Sequence, residues 1–234
     1  MGRHNTIAGR MAESSAARGR LFTKLAREIM VAARAGSDAS TNAALRTAVN
    51  KAKDNSMPKD NIERAIKKGA GELTAAQYEE IVYEGYGPKG CAILVEVLTD
   101  NRNRTLPELK RIFQKNGGQL GEMGSVAWMF KKQGVFVISH SNEEMIMNVA
   151  LEAGANDVVF EEPFFTVYTD VVHFSAVREI FVAANIAFEK AGLEYIPDNF
   201  VTLSDEDTKM AQGLVEKLEE QDDVQSVYFN FTLE

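Results

Sequence analysis

The spacing of apolar residues changes once along this chain, close to Gly71. Before that point, apolar side chains such as Leu25 and Ile29 recur every three or four residues, which is the period of an α-helix. After it the apolar runs are short, as in EEIVYEGYG and CAILVEVLT, and turn sequences separate them, which is typical of strands. The change predicts a helical domain that is followed by mixed α and β structure.

Three helices are predicted in the first part of the chain. The first covers residues 14–35, and the second begins after an N-cap at Thr41. The third begins at Pro58, whose missing N–H is tolerated in the first turn of a helix, and it ends at Gly69. Their apolar sides are rich in alanine, so we expect the three helices to pack closely.

The mixed part of the chain begins with a predicted hairpin of strands 79–87 and 91–99. A helix follows, with Thr105 as its N-cap and Glu108 three residues later, which together form a capping box. Residues 125–130 are predicted to be the next strand.

Residues 133–203 follow the order strand, helix, strand, strand, helix, strand, with helices predicted over 142–153 and 174–188. That order is the one of a ferredoxin-like unit. An acidic helix capped by Ser204 and a final strand over 224–231 complete the chain. These last two elements and the earlier hairpin, helix and strand make a second sandwich, which the ferredoxin-like unit interrupts.

The predicted fold class is therefore α+β, with an N-terminal three-helix domain followed by two ferredoxin-like α/β sandwich domains, one inserted in the other. The predicted domains are a basic helical domain over residues 1–72, a discontinuous α/β domain over 73–131 plus 204–234, and an inserted ferredoxin-like domain over 132–203.

Charge is distributed unequally between the two parts. The whole chain has a formal net charge of -8 at pH 7. Residues 1–70 contain 14 Lys and Arg against 6 Asp and Glu, whereas residues 71–234 contain 12 against 28. Such an excess of cations at one end indicates an anionic partner, such as a nucleic acid. The alternative is that the basic part docks on the acidic part of the same chain.

Cations on the outer faces of the predicted helices are the candidates for contact with phosphates. They are Arg18, Arg20, Lys24, Arg27, Arg46, Lys51, Lys53, Arg64, Lys67 and Lys68. The loop TDNRNRT adds Arg102 and Arg104 beside a helix N-terminus, whose backbone N–H groups also favour anions. Two alternatives stay open. The helical cations can be a solvated face, and Asp100 can pair locally with one arginine of the loop.

Catalytic and metal sites are not predicted. The histidines His4, His140 and His173 are far apart, and no thiol or carboxylate stands at ligand spacing from them. No nucleophile elbow, Walker A or Rossmann sequence is present, and NGGQLGEMG follows a helix, so it is predicted to be a turn and not a phosphate loop. Cys91 lies in an apolar run and is predicted to be a buried, inert thiol. We expect no enzyme activity, cofactor, metal or small-molecule substrate.

The sequence also bears on location. No stretch has the roughly 18 apolar residues of a membrane span, and the N-terminal segment lacks the apolar core of a secretory signal. Its arginine content leaves an organelle transit peptide as the alternative. The single cysteine is usual for a reducing compartment, so a cytoplasmic location is expected.

Four runs of this sequence resemble the YebC/PmpR family, to which the mitochondrial translational activator of cytochrome oxidase also belongs. The runs are RLFTKLAREIMVAARAG, NAALRTAVNKAKDNSMPKDNIERAIKKG, YEGYGPKGCAILVEVLTDNRNRT and GGQLGEMGSVAWMF. The resemblance spans essentially the whole chain. It implies a cytoplasmic regulatory protein of three domains, without known catalysis.

The start of the chain departs from the pattern of that family. Family members commonly begin with a segment rich in Lys, Trp and His, whereas the residues before Lys24 contain neither lysine nor tryptophan. Arg3, Arg10, Arg18 and Arg20 remain there. If the segment is a nucleic-acid-binding arm in the family, the departure implies a weaker or differently directed contact here.

The resemblance implies two kinds of nucleic-acid partner, since bacterial members are described as probable DNA-binding transcriptional regulators and other members are linked to translation. The leading prediction is a nucleic-acid-binding regulatory protein, a DNA-binding transcriptional regulator of the YebC type. The alternative is a ribosome-associated translation factor or translational activator that contacts rRNA or tRNA. A third hypothesis is a protein adaptor whose acidic sandwiches hold a basic partner. No feature of the sequence predicts an oligomeric state.

Overall fold

A computed structural model describes residues 15–71, 78–139 and 142–232. The helices in these ranges are α1 (Ser15–Ala33), α2 (Ala43–Asp54), α3 (Lys59–Gly69), α4 (Arg102–Lys115), α5 (Glu143–Glu152), α6 (Phe174–Ala183) and α7 (Asp205–Glu219). The strands are β1 (Glu79–Tyr86), β2 (Ala92–Thr99), β3 (Gln119–Leu120), β4 (Phe130–Ser139), β5 (Asp157–Glu161), β6 (Phe164–Thr169), β7 (Lys190–Pro197) and β8 (Val224–Phe229). Arg3, His4, Arg10 and His140, which the sequence singled out, lie outside the described residues.

The described chain forms two compact units. One is Lys131–Ile196, and the other combines the residues before it with those after it. The larger unit contains α1 to α3 and a sheet of order β3-β1-β2-β8, and the other sheet has the order β5-β6-β4-β7. The strands of the second sheet lie in the chain between β3 and β8, so the predicted α+β class with one sandwich inserted in the other is confirmed. The predicted three-domain boundaries stay a prediction.

The helical part of the larger unit has its own apolar core. Leu25 and Ile29 of α1, Leu45 of α2 and Ile62 of α3 are buried together, at the helical spacing that the sequence predicts. Small residues allow α1 and α3 to approach closely. At Gly69 an added Cβ would lie 2.2 Å from the carbonyl oxygen of Met30, so only glycine is tolerated there.

We expect Gly69→Ala to lower the free energy of unfolding of the helical part by about 2 kcal/mol, because the new methyl group pushes α3 away from α1. The matched control is Gly19→Ala in α1, where nothing lies within 4 Å of an added Cβ. This control should stabilise the helix by about 0.5–1 kcal/mol, since glycine is the poorer helix former. Thermal melts of both variants test the pair, and a Gly69→Ala protein as stable as the parent would contradict it.

Each sheet buries one face under two helices. In the larger unit Phe113 of α4 and Leu214 of α7 pack on the sheet residues Val95 and Phe229. In the smaller unit Phe136 of β4 is the centre of an aromatic core, stacked on Phe174 and edge-on to Phe181. Among the described helices, none has the length and apolar character that crossing a membrane requires.

Two predicted N-caps are wrong. The cap of α2 is Asn42 and not Thr41, because the Asn42 side chain accepts the Leu45 N–H at 3.0 Å while its amide donates to the carbonyl of Ala32 at 2.8 Å. This tertiary bond to the end of α1 is invisible in local sequence.

The cap of α4 is four residues earlier than predicted. Asn101 accepts the Arg104 N–H at 3.1 Å, so α4 begins at Arg102. Thr105 is consequently inside the helix, where its hydroxyl is buried and donates to Asp223 at 2.8 Å. Both arginines of TDNRNRT therefore lie on the first turn of a helix and not in a loop.

Two further elements also differ from the prediction. The predicted strand 125–130 is absent except for Phe130, the first residue of β4, because the backbone before it turns through a short 3₁₀ segment, Ala127–Met129. Helix α6 ends at Ala183, five residues early, since Asn185 adopts a left-handed conformation (φ 55°) that stops the helix. The released residues allow β7 to start at Lys190.

Candidate nucleic-acid interface

One face of α1 carries cations at helical spacing, and the structure turns this face toward the C-terminal end of α7. Lys24 Nζ donates to the carbonyl oxygen of Glu219 at 2.8 Å, and Arg27 Nη1 donates to the carbonyl oxygen of Asp222. The last carbonyls of a helix have no intrahelical partner and form its negative end, so cations are stabilising there. For these two residues the structure supports docking of the basic part on the acidic part of the same chain.

The environment of Lys24 is poorly suited to a phosphate ligand. Burial lowers the pKa of its amine to about 8, against the opposing charges of Glu219 and Asp222, which raise it. A half-buried amine that is partly neutral near pH 8 and already donates to a carbonyl has little capacity for an external anion.

Asp223 is the centre of the strongest polar cluster. Its side chain is 3% exposed and accepts from Arg104 Nη2 at 2.8 Å and from Arg27 Nη1 at 3.4 Å. The hydroxyls of Thr105 and Thr99 donate to the same carboxylate at 2.8 and 3.2 Å. The carboxylate thus joins α1, α4 and the end of β2 to the turn before β8.

The pKa of Asp223 shows how this cluster is balanced. Burial by itself raises the pKa of the carboxyl, but the hydrogen bonds from Arg104 and Thr105 and the charges of Arg104 and Arg27 outweigh it and hold the pKa below its usual value. Arg104 also donates to Asp100 at 3.0 Å, which is the local pairing left open by the sequence. Much of TDNRNRT therefore serves to hold Asp223.

Two further predicted cations have partners inside the helical part. Arg46 Nη1 donates to the carbonyl oxygens of Ala39 and Ser40, at 3.1 and 3.2 Å, and so holds the connection between α1 and α2. Lys51 pairs with Glu28 at 3.0 Å across α1 and α2, with both side chains about one-third exposed. A pair this exposed contributes modestly to stability.

The remaining predicted cations have no hydrogen bond or ion pair with another described residue, and six of these seven are exposed. Lys68 is half-buried. On α3, Lys67 and Lys68 lie one turn after Arg64, on the side away from the buried Ile62 and Ala65. The full set is Arg18, Arg20, Lys53, Arg64, Lys67, Lys68 and Arg102.

Two exposed features lay outside the sequence prediction. Helix α4 carries Lys110, Arg111 and Lys115, all exposed, and counting charge by helix instead of by chain segment would have found them. The second is a loop that presents Met123 and Trp128, which are 93% and 70% exposed.

The buried Glu84 holds the loop that presents these two side chains. Its carboxylate accepts the N–H groups of Gly124, Val126 and Ala127 at 2.6 to 2.8 Å. Burial by itself raises the pKa of Glu84, but the three backbone donors lower it by more, so that the net shift is downward.

The described residues offer little support for a metal site, a phosphate loop or a reactive thiol. No group of three His, Cys, Asp or Glu there could hold a metal ion. The Gly-rich run predicted to be a turn borders an open cavity of about 400 Å³, lined by Tyr86, Gln119 and four glycines with no charged side chain among them. Cys91 is fully buried, as predicted, and burial raises the pKa of its thiol to about 11.

Comparison with known proteins gives matches over nearly the whole chain. Residues 2–72 match the model of the TACO1/YebC protein N-terminal domain, and residues 78–231 match that of the TACO1/YebC second and third domain. Similar curated proteins include probable transcriptional regulatory proteins of Geobacter sulfurreducens, 49% identical over 100% of this chain and 96% of the relative, and of Halothermothrix orenii, 48% identical over 97% and 92%.

A solved structure shows the same fold. The crystal structure of a conserved hypothetical protein from Aquifex aeolicus is 41% identical, covers 100% of this chain and 98% of its own, and superposes with a TM-score of 0.89.

Proposed function

This chain belongs to the TACO1/YebC family, and from that premise we propose that it is a nucleic-acid-binding regulatory protein that binds DNA through its helical part. Its relatives are named probable transcriptional regulatory proteins, which supports a regulatory role. The proposal includes a cytoplasmic location and no catalytic step.

One observation carries the proposal: α3 presents Arg64, Lys67 and Lys68 without a partner among the described residues. Other cations of the helical part, such as Lys24 and Arg27, are held by carbonyls and carboxylates of the same chain. The fold therefore separates cations that hold the protein together from cations that are available to an anion. The available group extends to Lys53 at the end of α2 and to Arg18 and Arg20 on α1.

Binding of this kind should depend strongly on salt. Each phosphate that a cation neutralises releases counterions, with a slope of about -0.9 per contact in a plot of log affinity against log salt concentration. Five contacts give a slope between about -4 and -5. Phosphate contacts position a protein on nucleic acid without reading the bases, so we expect little sequence preference from this surface alone.

We expect the triple variant Arg64→Gln, Lys67→Gln, Lys68→Gln to bind a 30-base-pair DNA duplex at least tenfold more weakly at about 0.15 M salt. The slope should become shallower by up to about 3, because three counterion-releasing contacts are removed. Fluorescence anisotropy titrations at several salt concentrations measure both quantities.

The matched control removes three exposed lysines elsewhere, in Lys131→Gln, Lys209→Gln, Lys217→Gln. It changes the net charge of the protein by the same amount and should leave affinity and slope close to those of the parent. Equal weakening in the two triple variants would mean that net charge alone governs binding. A parent slope near zero would contradict the proposed function itself.

The second candidate partner is the RNA of the ribosome, because the family name covers TACO1 as well as YebC proteins. The same cations would contact RNA phosphates, so the surface does not choose between the two polymers. Competition of a ribosomal RNA fragment against the DNA duplex separates them. Displacement by RNA at a far lower concentration than by unlabelled DNA would favour the role in translation.

A further inference from the structure

Helix α4 concentrates positive charge within an acidic part of the chain. Residues 71–234 contain 12 Lys and Arg against 28 Asp and Glu, yet five of those 12 cations lie in the 14 residues of α4. Glu108 is the helix's only acidic residue, and its carboxylate accepts from the Gln221 side chain at 2.9 Å.

The cations of α4 also have fewer partners within the protein than the other cations of residues 71–234. Outside α4, five of the other seven have a partner: Lys131 with Asp170, Lys190 with Glu194, Lys217 with Glu220, Lys132 over the Tyr195 ring and Arg178 over the Phe188 ring. On α4 only Arg104 has one. Lys110, Arg111 and Lys115 are exposed and have no hydrogen bond or ion pair with another described residue.

The helix macrodipole does not explain this arrangement. Cations stabilise the last turn of a helix, and Lys115 stands there, but Lys110 and Arg111 lie in the middle of α4. Arg102 opens the first turn, where a positive charge opposes the dipole. Lys110 and Arg111 are thus neither paired nor placed for helix stability, and exposed cations of this kind are suited to an external anion.

The geometry of α4 suits a polyanion in particular. Arg111 and Lys115 lie one turn apart on one side of the helix, away from the buried Leu109 and Phe113. From Arg102 to Lys115 the helix rises about 20 Å, which is the length of several nucleotide phosphates along a strand. The N-terminal turn is held rigidly through the bonds of Arg104 and Thr105 to Asp223.

We propose that the outward face of α4, with Lys110, Arg111 and Lys115, is a second phosphate-binding surface for nucleic acid, separate from the one on the helical part. This inference rests on the proposed function, and it adds a contact that the sandwich makes with the same polymer. Both surfaces belong to the larger compact unit. A nucleic acid that touches both gains affinity from the second contact without a second association step.

The test uses the full chain with Arg111→Gln, Lys115→Gln and, as a matched control, Lys209→Gln, Lys217→Gln on α7. We expect the α4 variant to bind the 30-base-pair duplex about tenfold more weakly at 0.15 M salt, with a slope shallower by up to about 2. The control should bind like the parent. Circular dichroism melts of both variants check that these exposed substitutions leave the fold intact.

The outcomes separate this inference from the proposed function. If the α4 variant binds like the parent while the α3 triple variant is weakened, the second surface does not exist and the proposed function stands. If the parent itself binds neither the duplex nor a ribosomal RNA fragment in a salt-dependent way, both ideas fail together. Weakening of the α4 variant and of the α7 control to the same degree also overturns the inference, because the effect is then one of net charge.

Discussion

Replacing Asp223 with asparagine is expected to lower the free energy of unfolding of the larger unit by about 3 kcal/mol. The buried carboxylate is the shared acceptor of Arg27 and Arg104 and of two threonine hydroxyls. Removing one partner of a buried ion pair leaves the other charge without compensation, which costs more than the pair contributes when intact. The cost is largest at Arg27, because its side chain is only 15% exposed and water cannot fully solvate its uncompensated charge.

The expected structural consequence is that α1 loosens from the α7–β8 turn. The rates of amide hydrogen exchange should rise in α1 and in the first turn of α4. In calorimetry, the midpoint temperature of unfolding should fall. The matched control is Asp222→Asn, because Asp222 is exposed and binds Arg27 through its backbone carbonyl, which the substitution leaves in place. We expect a change within about 0.5 kcal/mol for this control. An Asp223→Asn protein with parental exchange rates in α1 would contradict the assignment.

The same contact predicts a dependence on pH. The pKa of Asp223 is lower in the folded protein than the value of about 3.9 in an unfolded chain. The ionised form therefore contributes stability that is complete above the unfolded pKa and is lost as pH falls through the folded pKa. From pH 6 down to about pH 4 the gap in stability between the parent and Asp223→Asn should stay constant, and it should close as pH falls below about 4. Coupling to Arg27, measured with Arg27→Met in a double-mutant cycle, should be about 1–3 kcal/mol at pH 7.

Replacing Glu84 with glutamine is the second large effect that we expect, about 2–4 kcal/mol of destabilisation. Both carboxylate oxygens accept backbone N–H groups, from Gly124 on one side and from Val126 and Ala127 on the other. A glutamine has one oxygen, so its NH₂ group must face at least one of these N–H donors in a site that is 5% exposed. Donor then opposes donor without water to separate them.

The chain supplies its own probe for this change, because Trp128 is its only tryptophan and lies on the loop that Glu84 holds. The indole N–H donates to the carbonyl oxygen of Ser125 at 3.2 Å. We expect a lower fluorescence anisotropy of Trp128 in Glu84→Gln, together with faster amide exchange in the loop. Glu80→Gln, an exposed position on the same strand, should change neither. Parental anisotropy in Glu84→Gln would show that the loop is ordered by other contacts.

Individual residues show which structural features could be predicted from the neighbouring sequence. The cap Ser204 is confirmed, with its hydroxyl accepting the Asp207 N–H at 3.3 Å, because that signal is contained within four residues. Thr105 has the same chemistry and is not the cap, since Asn101 caps the helix four residues earlier and the Thr105 hydroxyl, inside the helix, donates to Asp223, 118 residues away. Residues 125–130 have a strand-like composition. However, the Glu84 carboxylate accepts the N–H groups of Val126 and Ala127, which a strand would need for pairing.

The amino-acid sequence determines, through the periods of its apolar residues, the helical part and the two α/β units, but it misses the edge strand β3 and predicts a strand at residues 125–130 that the structure lacks. It also determined that positive charge gathers at the amino end. Which of these cations are already bound within the chain depends on the tertiary fold. Lys24 and Arg27 are occupied by backbone carbonyls of Glu219 and Asp222, nearly 200 residues away. Every residue has such a carbonyl, so this kind of acceptor leaves no mark in a sequence and is recognised only when folding brings a helix end to the cation.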